Sequence, residues 1–262
     1  MDNIITTERI DAYCLSLLAD ERAAGTISKY RHDLTAFAHW LDGRIVSKET
    51  AAGWKNYLSH CGYTPRTINS MLAAVNGFCR FMAWHIKVKF LKIQRQIFRD
   101  SSRELTKEEY DRLLAAARES GQERLALIME TLCATGIRVS ELRYITVEAA
   151  LAGRATITLK GKIRTILLPA KLCRKLVKYA RKQKTASGEI FLTKSGRPIT
   201  RRQVWFELKR LCKAAGVEAS KVFPHNLRHL FATTFYRACR DIVRLADMLG
   251  HSSIDTTRIY LM

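Results

Sequence analysis

Two segments in the second half of the chain place an arginine where a phosphate group could bind. In "ATGIRVSEL" a buried helix should end at Gly136, so that Arg138 falls at the start of the next short helix. Free backbone N–H groups at a helix start already favour an anion, and an arginine strengthens that site. The alternative is a surface salt bridge between Arg138 and Glu141, which lies one turn further on.

The segment "FPHNLRHLF" predicts a second anion site. Pro224 suits the first turn of a helix, and His225 and Arg228, three residues apart, then share one face near its positive end. Leu227, Leu230 and Phe231 point toward the core on the same reading. His229 falls off the face of His225 and Arg228, and we interpret it as structural.

The last segment, "DIVRLADMLGHSSIDTTRIYLM", adds a histidine and a tyrosine. Ile242, Leu245, Ala246 and Leu249 form an apolar stripe that ends at Gly250. His251 follows this helix stop and is therefore presented at a helix end, and Tyr260 comes nine residues later. Taken alone, either residue would be interpreted as a packing residue.

The elements that must position these side chains can be read from the same half of the chain. Thr106 and Glu109 form a capping-box pattern before one helix, and "RLALIMETLCATG" predicts a second. "RATITLKGKIRTILLP" alternates on both sides of "KGK", which predicts a β-hairpin with lysines at its tip. "EIFLTKSGRPIT" predicts another short strand and turn, followed by the basic helix "RRQVWFELKRLCKAAG".

The first part of the chain is different. Residues 7–84 read as successive amphipathic helices, and "KVKFLKIQRQIFRDSSR" that follows predicts a basic linker. No phosphate-binding P-loop is present, because Gly161 and Lys162 are followed by Ile163.

Charge and composition limit the class of partner. The chain has 262 residues with 45 Lys and Arg against 24 Asp and Glu, a net charge of +21, while nearly half of its residues are hydrophobic. Residues 1–100 carry +5 and residues 101–262 carry +16. This charge on a folded protein predicts that the partner is a polyanion and that binding depends strongly on salt concentration. The alternative is a basic, soluble protein without such a partner.

The cysteines and the apolar segments set further limits. The seven cysteines are scattered and none has C-x-x-C spacing, which argues against zinc and against a disulfide framework. The residues at the start, "MDNIITTERID", lack the basic and apolar segments typical of a signal peptide, and no apolar run is long enough to cross a membrane. We therefore expect a cytoplasmic protein without a metal or another cofactor.

In chain order, G-x-R-x-S-E-L, a lysine hairpin, H-x-L-R-H, L-G-H and T-T-x-x-Y together resemble the signature of the tyrosine recombinases, the family of phage integrases and chromosome-dimer resolvases. These motifs span residues 136–260, and the helical first part and basic linker are also similar to that family. The resemblance implies a mainly α fold with a small antiparallel β-sheet in the second domain, and a two-domain, C-shaped clamp around DNA. The implied domains are 1–86 (a helical, SAM-like core-binding domain), 87–103 (the linker) and 104–262 (the catalytic domain).

The resemblance also implies a chemical role for each motif residue. Tyr260 would attack the phosphorus and form a 3′-phosphotyrosyl link, while Arg138 and Arg228 clamp the phosphate oxygens. Lys160 would protonate the leaving 5′ oxygen, with Lys162 as the alternative, because the hairpin is one residue shorter than is common in the family. The remaining implied roles are proton transfer by His225, a hydrogen bond to the phosphate from His251, and support of the site by Glu141.

The implied partner is double-stranded DNA with an inverted-repeat core site, bound by a homotetramer on two duplexes. The residues that we expect to contact phosphates or base edges are Arg66, Asn69, Arg201, Arg202 and Lys209. Family members usually continue past the tyrosine with a segment that packs on a neighbouring protomer, whereas only Leu261 and Met262 follow it here. A shortened chain and a naturally short enzyme that assembles differently both remain open.

Two other functions remain as alternatives at this stage. A type IB topoisomerase uses the same tyrosine attack but reseals the same strand, and a DNA-binding protein could keep the fold without catalysis. The sequence does not distinguish integration, excision, inversion and dimer resolution.

Overall fold

A computed structural model describes residues 3–93, 101–159, 162–251, 253–258 and 260. The chain divides into two compact units, Met1–Arg95 and Gln96–Met262, and each is described by itself.

The first unit is helical. Its four helices are α1 (Thr7–Ala19), α2 (Ala24–Leu41), α3 (Lys48–His60) and α4 (Pro65–Phe81). Helix α4 begins with Thr64 as its N-cap and Pro65 in its first turn, as the sequence pattern of helix starts requires. Its buried stripe, which includes Ile68, Leu72, Val75 and Phe78, packs into the apolar core of this unit.

Two asparagines of α4 hold the extended segment that follows this helix. The side-chain amide of Asn76 pairs with both backbone groups of Val88, at 2.9 and 3.0 Å. Asn69 does the same with Leu91, at 2.8 and 2.9 Å. The start of the predicted linker therefore lies along α4 and satisfies its backbone polar groups there.

The second unit contains eight α-helices and one β-hairpin among the described residues. They are α5 (Lys107–Glu119), α6 (Glu123–Thr135), α7 (Val147–Ala152), β1 (Arg154–Leu159), β2 (Lys162–Leu167), α8 (Ala170–Lys182), α9 (Arg201–Ala215), α10 (Pro224–Cys239), α11 (Ile242–Leu249) and α12 (Ile254–Arg258). A 3₁₀-helix, Val139–Tyr144, joins α6 to α7. Mostly helical structure with a single small antiparallel sheet in this unit confirms the predicted fold class.

The hairpin follows the alternation in the sequence. Strands β1 and β2 pair antiparallel from Arg154 with Leu167 to Leu159 with Lys162. Ala155, Ile157 and Ile166 face the core, whereas Ile163 and Leu167 are exposed. Lys160 and Gly161, which lie between the strands in the sequence, are outside the described residues.

The second predicted strand, in "EIFLTKSGRPIT", is wrong as a regular element. This segment pairs only through isolated bridges, Thr146 with Glu189 and Leu192 with Pro198. Ile190 and Phe191 are nonetheless buried. The apolar run therefore indicates burial of the segment, while no strand among the described residues extends its pairing.

Two glycines end helices that lead into the site. Gly136 after α6 and Gly250 after α11 both have left-handed backbone conformations, with φ of +63° and +65°. A Cβ on Gly136 would also lie 2.3 Å from the ring of Phe231 on α10. Glycine at this position therefore allows α6 and α10 to approach closely.

Within the described residues, no helix combines the length and apolarity that crossing a bilayer requires.

Candidate active site

Arg138 and Glu141 form a linked pair at the start of the 3₁₀-helix. The backbone N–H of Arg138 donates to one carboxylate oxygen of Glu141 at 2.7 Å, and its Nη1 donates to the other at 3.1 Å. The carboxylate is buried, with 1% of its side chain exposed, whereas 41% of the Arg138 side chain is exposed. The pair is therefore not the surface salt bridge of the alternative reading, because a buried anion orients a partly exposed arginine.

Arg228 is fully buried and joins three segments. Its Nη1 donates to the carbonyl of Gly136 at 2.5 Å, and its Nη2 donates to the carbonyl of Leu249 at 2.7 Å. Nη2 also lies 2.9 Å from Nε2 of His251. Helix α10 supplies the arginine, while the glycine-stopped ends of α6 and α11 supply the acceptors.

The hydrogen bonds of His251 define its protonation. Arginine can only donate, so Nε2 accepts from Arg228, and Nδ1 carries the proton that it donates to Oγ1 of Thr257 at 2.9 Å. Burial, together with the positive charge of Arg228 and of the two other nearby arginines, lowers the pKa of His251 to about 4. The ring is therefore neutral at pH 7, with both nitrogens already engaged inside the protein.

Tyr260 is packed against the same side chains. Its ring centroid lies 5.1 Å from that of His229, 5.7 Å from that of His251 and 5.9 Å from that of His225. The side chain is buried with Phe231, Leu245 and Leu249. Burial lowers the pKa of Arg228, and its hydrogen bonding and charge interaction with Tyr260 act in the opposite direction. The phenol and a site arginine are therefore in direct proximity.

We predict that His251 makes the stability of the protein depend on pH. The pKa of about 4 in the folded chain lies below the ordinary 6.5. Between these values the unfolded chain binds a proton that the folded chain does not, so the contribution of His251 is complete above pH 6.5 and is lost as the pH falls toward 4. The melting temperature of the wild type should fall more steeply across this window than that of His251→Gln.

The control for this measurement is His85→Gln, which removes an exposed histidine of the first unit. Its melting curve should follow that of the wild type. Parallel pH profiles for the wild type and His251→Gln would contradict the assignment of a neutral, buried imidazole.

Three residues at the site were given no functional role in the sequence analysis. Arg164 donates to Glu141 at 2.7 Å, Thr257 accepts from His251, and His229 contacts the ring of Tyr260. The signal for Arg164 was its position in β2, because it lies two residues before the buried Ile166 and so shares the inward face of the hairpin. His229 is structural in the sense expected, being buried, but it also forms part of the tyrosine pocket.

The residues predicted to transfer protons are described only in part. Lys160 is outside the described residues, as is the side chain of its alternative, Lys162. His225 is exposed in the first turn of α10, next to Tyr260.

The predicted DNA contacts also differ among themselves. Arg66 on α4 and Arg201 and Arg202 on α9 are exposed. Lys209 donates to the carbonyl of Ala219 and lies 5.3 Å from the ring of Trp205. Asn69 stays a predicted contact, although the N–H and the oxygen of its side-chain amide both pair with the backbone of Leu91, so that a contact with DNA through this amide would require breaking those bonds.

A buried phenol beside the guanidinium of Arg228, on a mainly helical unit that follows a separate helical unit, fits a class of enzyme that acts on phosphate esters. Comparison with known proteins gives the same class. Residues 103–262 match the phage integrase family, and residues 10–85 match the N-terminal SAM-like domain of phage integrases.

Named relatives extend over nearly the whole chain. The tyrosine recombinase XerC of Roseiflexus castenholzii is 32% identical, over 97% of this chain and 88% of its own. The tyrosine recombinase XerA of Thermococcus kodakarensis is 29% identical, over 97% and 90%. This chain belongs to the phage integrase family of tyrosine recombinases, enzymes that break and rejoin DNA at specific sites.

Solved structures agree at the level of the fold. A lambda integrase tetramer bound to a Holliday junction superposes with a TM-score of 0.77 at 20% identity, covering 99% of this chain and 78% of that one. The XerH recombinase in a post-cleavage complex with palindromic difH DNA gives 0.75 at 19% identity, covering 98% and 86%.

Proposed function

We propose that this chain is a site-specific DNA recombinase in which Tyr260 cuts one strand by direct attack on a backbone phosphate. The Tyr260 oxygen forms a bond to phosphorus as the bond to the 5′ oxygen breaks, leaving a 3′-phosphotyrosyl link and a 5′-hydroxyl. The observation that carries this proposal is the packing of Tyr260 against His225 and His251 beside the guanidinium of Arg228. The phosphodiester energy is kept in the covalent link, so the proposed reaction needs no ATP, and Arg138 and Arg228 would stabilise the charge that a metal ion would otherwise bind.

The two arginines would stabilise the charge of the pentavalent transition state. Nη1 and Nη2 of Arg228 donate to Gly136, Leu249 and His251, the guanidinium also interacts with Tyr260, and the Nε–H has no hydrogen-bond partner among the described residues. Arg138 is held by Glu141 through Nη1 and is partly exposed. A phosphate from solution would contact Arg138 directly, whereas Arg228 is buried and could join the clamp only after a group that covers it moves aside.

Proton transfers complete the proposed reaction. Lys160, with Lys162 as the alternative, would give a proton to the departing 5′ oxygen, a role worth about 10² to 10⁴-fold in rate. The exposed His225 would take the proton of the attacking phenol. For His251 to donate to the phosphate, as the family resemblance implies, its bond with Arg228 would have to rearrange first.

Double-stranded DNA with an inverted-repeat core is the proposed substrate. The net charge of +16 on residues 101–262 and the exposed Arg201 and Arg202 of α9 support this assignment. Arg66, Lys209 and Asn69 remain candidate contacts, Asn69 with the cost described above. We keep the boundaries 1–86, 87–103 and 104–262, the clamp around one duplex, assembly as a homotetramer on two duplexes and a cytoplasmic location as parts of this proposal.

The test is capture of the covalent intermediate. The full chain is incubated with a pool of nicked duplexes cut from the DNA around its own gene, and products are separated under denaturing conditions. A nick just beyond the cleavage site lets the short 5′-hydroxyl strand diffuse away, so that the phosphotyrosyl link cannot be reversed. We expect a protein–DNA band that survives denaturant, forms equally well in EDTA and disappears after protease treatment.

The outcome separates the proposal from its alternatives. A band that requires a divalent metal would contradict arginine-based catalysis. Failure of the whole pool to give a covalent band would contradict the proposed cleavage and favour a binding protein. Covalent capture followed by relaxation of supercoiled DNA, without exchange between two marked duplexes, would favour a type IB topoisomerase.

A further inference from the structure

A third arginine, Arg164, lies at the site but has no part in the proposed reaction. It sits on the inward face of β2, opposite Ile157, and only 15% of its side chain is exposed. Burial lowers its pKa, while the charge of Glu141 acts in the opposite direction. An arginine is rarely buried unless its charge and its donors are used, so its contacts indicate what it does.

The first contact of Arg164 is with the carboxylate that holds Arg138. Nη2 of Arg164 donates to Oε2 of Glu141 at 2.7 Å, and the same oxygen accepts from the backbone N–H of Arg138. Oε1 accepts from Nη1 of Arg138. One buried carboxylate therefore joins two arginines, and its orientation depends on both of them.

The second contact is with the end of α11. Nη1 of Arg164 donates to the carbonyl of Met248 at 3.1 Å. The guanidinium also lies against Gly250, where an added Cβ would be 2.2 Å from Nη1. The neighbouring residue Leu249 supplies the carbonyl that holds Arg228, and the chain then continues to His251. Arg164 thus braces the turn that presents the second half of the site.

We propose that Arg164 is a positioning residue that holds both phosphate-binding arginines in register, Arg138 through Glu141 and Arg228 through the end of α11. This inference rests on the proposed function, because the register matters only if both arginines bind one phosphate. Without Arg164, Glu141 would keep only its bonds with Arg138. The carbonyl of Met248 in the last turn of α11 would lose its hydrogen bond to the hairpin. A planar fork is needed for this role because the two acceptors belong to different segments.

The test is a double-mutant cycle on cleavage, using the nicked duplex that the wild-type chain captures. Arg138→Ala should slow covalent capture by about 10² to 10³-fold, as loss of a transition-state donor does. Arg164→Ala should slow it by about 10 to 100-fold, the usual effect of removing a residue that orients a site group. Binding of uncleaved duplex should change little in the single variants.

The cycle separates positioning from a general loss of structure. If Arg164 acts in part through Arg138, the double variant should be clearly faster than the product of the two single losses predicts. Independent sites would multiply to within about twofold. Arg154→Ala, which removes an exposed arginine from the same hairpin, is the matched control and should cleave at the wild-type rate.

A second variant reaches Arg164 without removing it. Gly250→Ala would push the guanidinium away, whereas Gly153→Ala has the same type of left-handed backbone, at φ of +68°, with open space around it. Gly250→Ala should slow cleavage at temperatures where it is folded, and Gly153→Ala should not. If Arg164→Ala does not fold, the cycle is run with Arg164→Lys.

Two results would overturn the inference while leaving the proposed function intact. They are wild-type cleavage by the Arg164 variant and fully multiplicative losses in the cycle. A wild-type chain that captures no duplex would instead count against the proposed function itself.

Discussion

Replacing Tyr260 by phenylalanine should abolish every covalent protein–DNA complex while DNA binding and folding stay close to wild type. The substitution removes only the hydroxyl that would attack phosphorus. Loss of a nucleophile in comparable enzymes lowers the rate by about 10⁴-fold or more, so no band should be visible in the capture assay.

The packing of Tyr260 explains why the fold should tolerate this change. Its ring is buried with Phe231, Leu245 and Leu249 and lies against three imidazoles, all contacts that phenylalanine keeps. The hydroxyl interacts with Arg228, whose own position is fixed by the carbonyls of Gly136 and Leu249. A normal melting temperature together with a complete loss of capture would therefore assign the nucleophile.

The matched control is Tyr236→Phe. Tyr236 lies on α10 and packs on the same apolar cluster, and its replacement by phenylalanine also removes one phenolic hydroxyl group. It should form the covalent complex at the wild-type rate. If Tyr260→Phe still trapped DNA covalently, another residue would be the nucleophile and the proposed mechanism would be wrong.

The second large effect is expected for Arg228→Lys, although this change keeps the positive charge. The guanidinium of Arg228 reaches acceptors on three segments, and one lysine nitrogen cannot replace that fork. A buried carbonyl left without a donor costs about 1 to 3 kcal/mol, so the free energy of unfolding should fall by about 2 to 4 kcal/mol. Single-turnover cleavage should also fall by about 10³-fold.

Chemistry and stability can be separated in this variant. Cleavage is measured well below its melting temperature, on the normal duplex and on one in which a methyl group replaces a non-bridging oxygen at the cleaved phosphate. The methylphosphonate at the cleaved position is uncharged, so its transition state needs less positive charge for stabilisation. The loss of rate caused by Arg228→Lys should therefore be smaller on the methylphosphonate duplex. An equal loss on both would indicate that Arg228 acts only through the fold.

Arg237→Lys provides the control, since Arg237 is exposed in the last turn of the same helix. It should leave both the melting temperature and cleavage unchanged. A comparable loss in this variant would mean that the assay responds to any arginine-to-lysine change on α10 and not to the loss of the buried guanidinium.

Several features of the site could be predicted from local sequence because their causes are local. Gly136 and Gly250 end helices since left-handed backbone is accessible to glycine, and both have that conformation. Period-two alternation predicted the hairpin, whose two strands pair antiparallel. Order and spacing of the motif residues were enough to indicate the family, because the covalent chemistry needs those residue types together.

What the sequence did not reveal also has physical causes. The run around Ile190 and Phe191 was predicted as a strand, yet in the part of the chain that the structure describes it forms only isolated bridges. The contact of Asn69 with DNA stays a prediction. Local sequence did not reveal that its amide pairs with the backbone of Leu91, 22 residues further along the chain.

By itself, the sequence determined which groups are available for phosphate chemistry and the local elements that carry them. Tertiary structure alone decided how those groups are shared: Glu141 between two arginines, and Arg228 among Gly136, Leu249 and His251. The bond from Arg228 to Gly136 joins residues 92 positions apart. Periodicity reports which face of an element is buried, whereas the partner of a buried polar group depends on how distant elements pack, and that packing also sets the neutral state of His251 and the pocket of Tyr260.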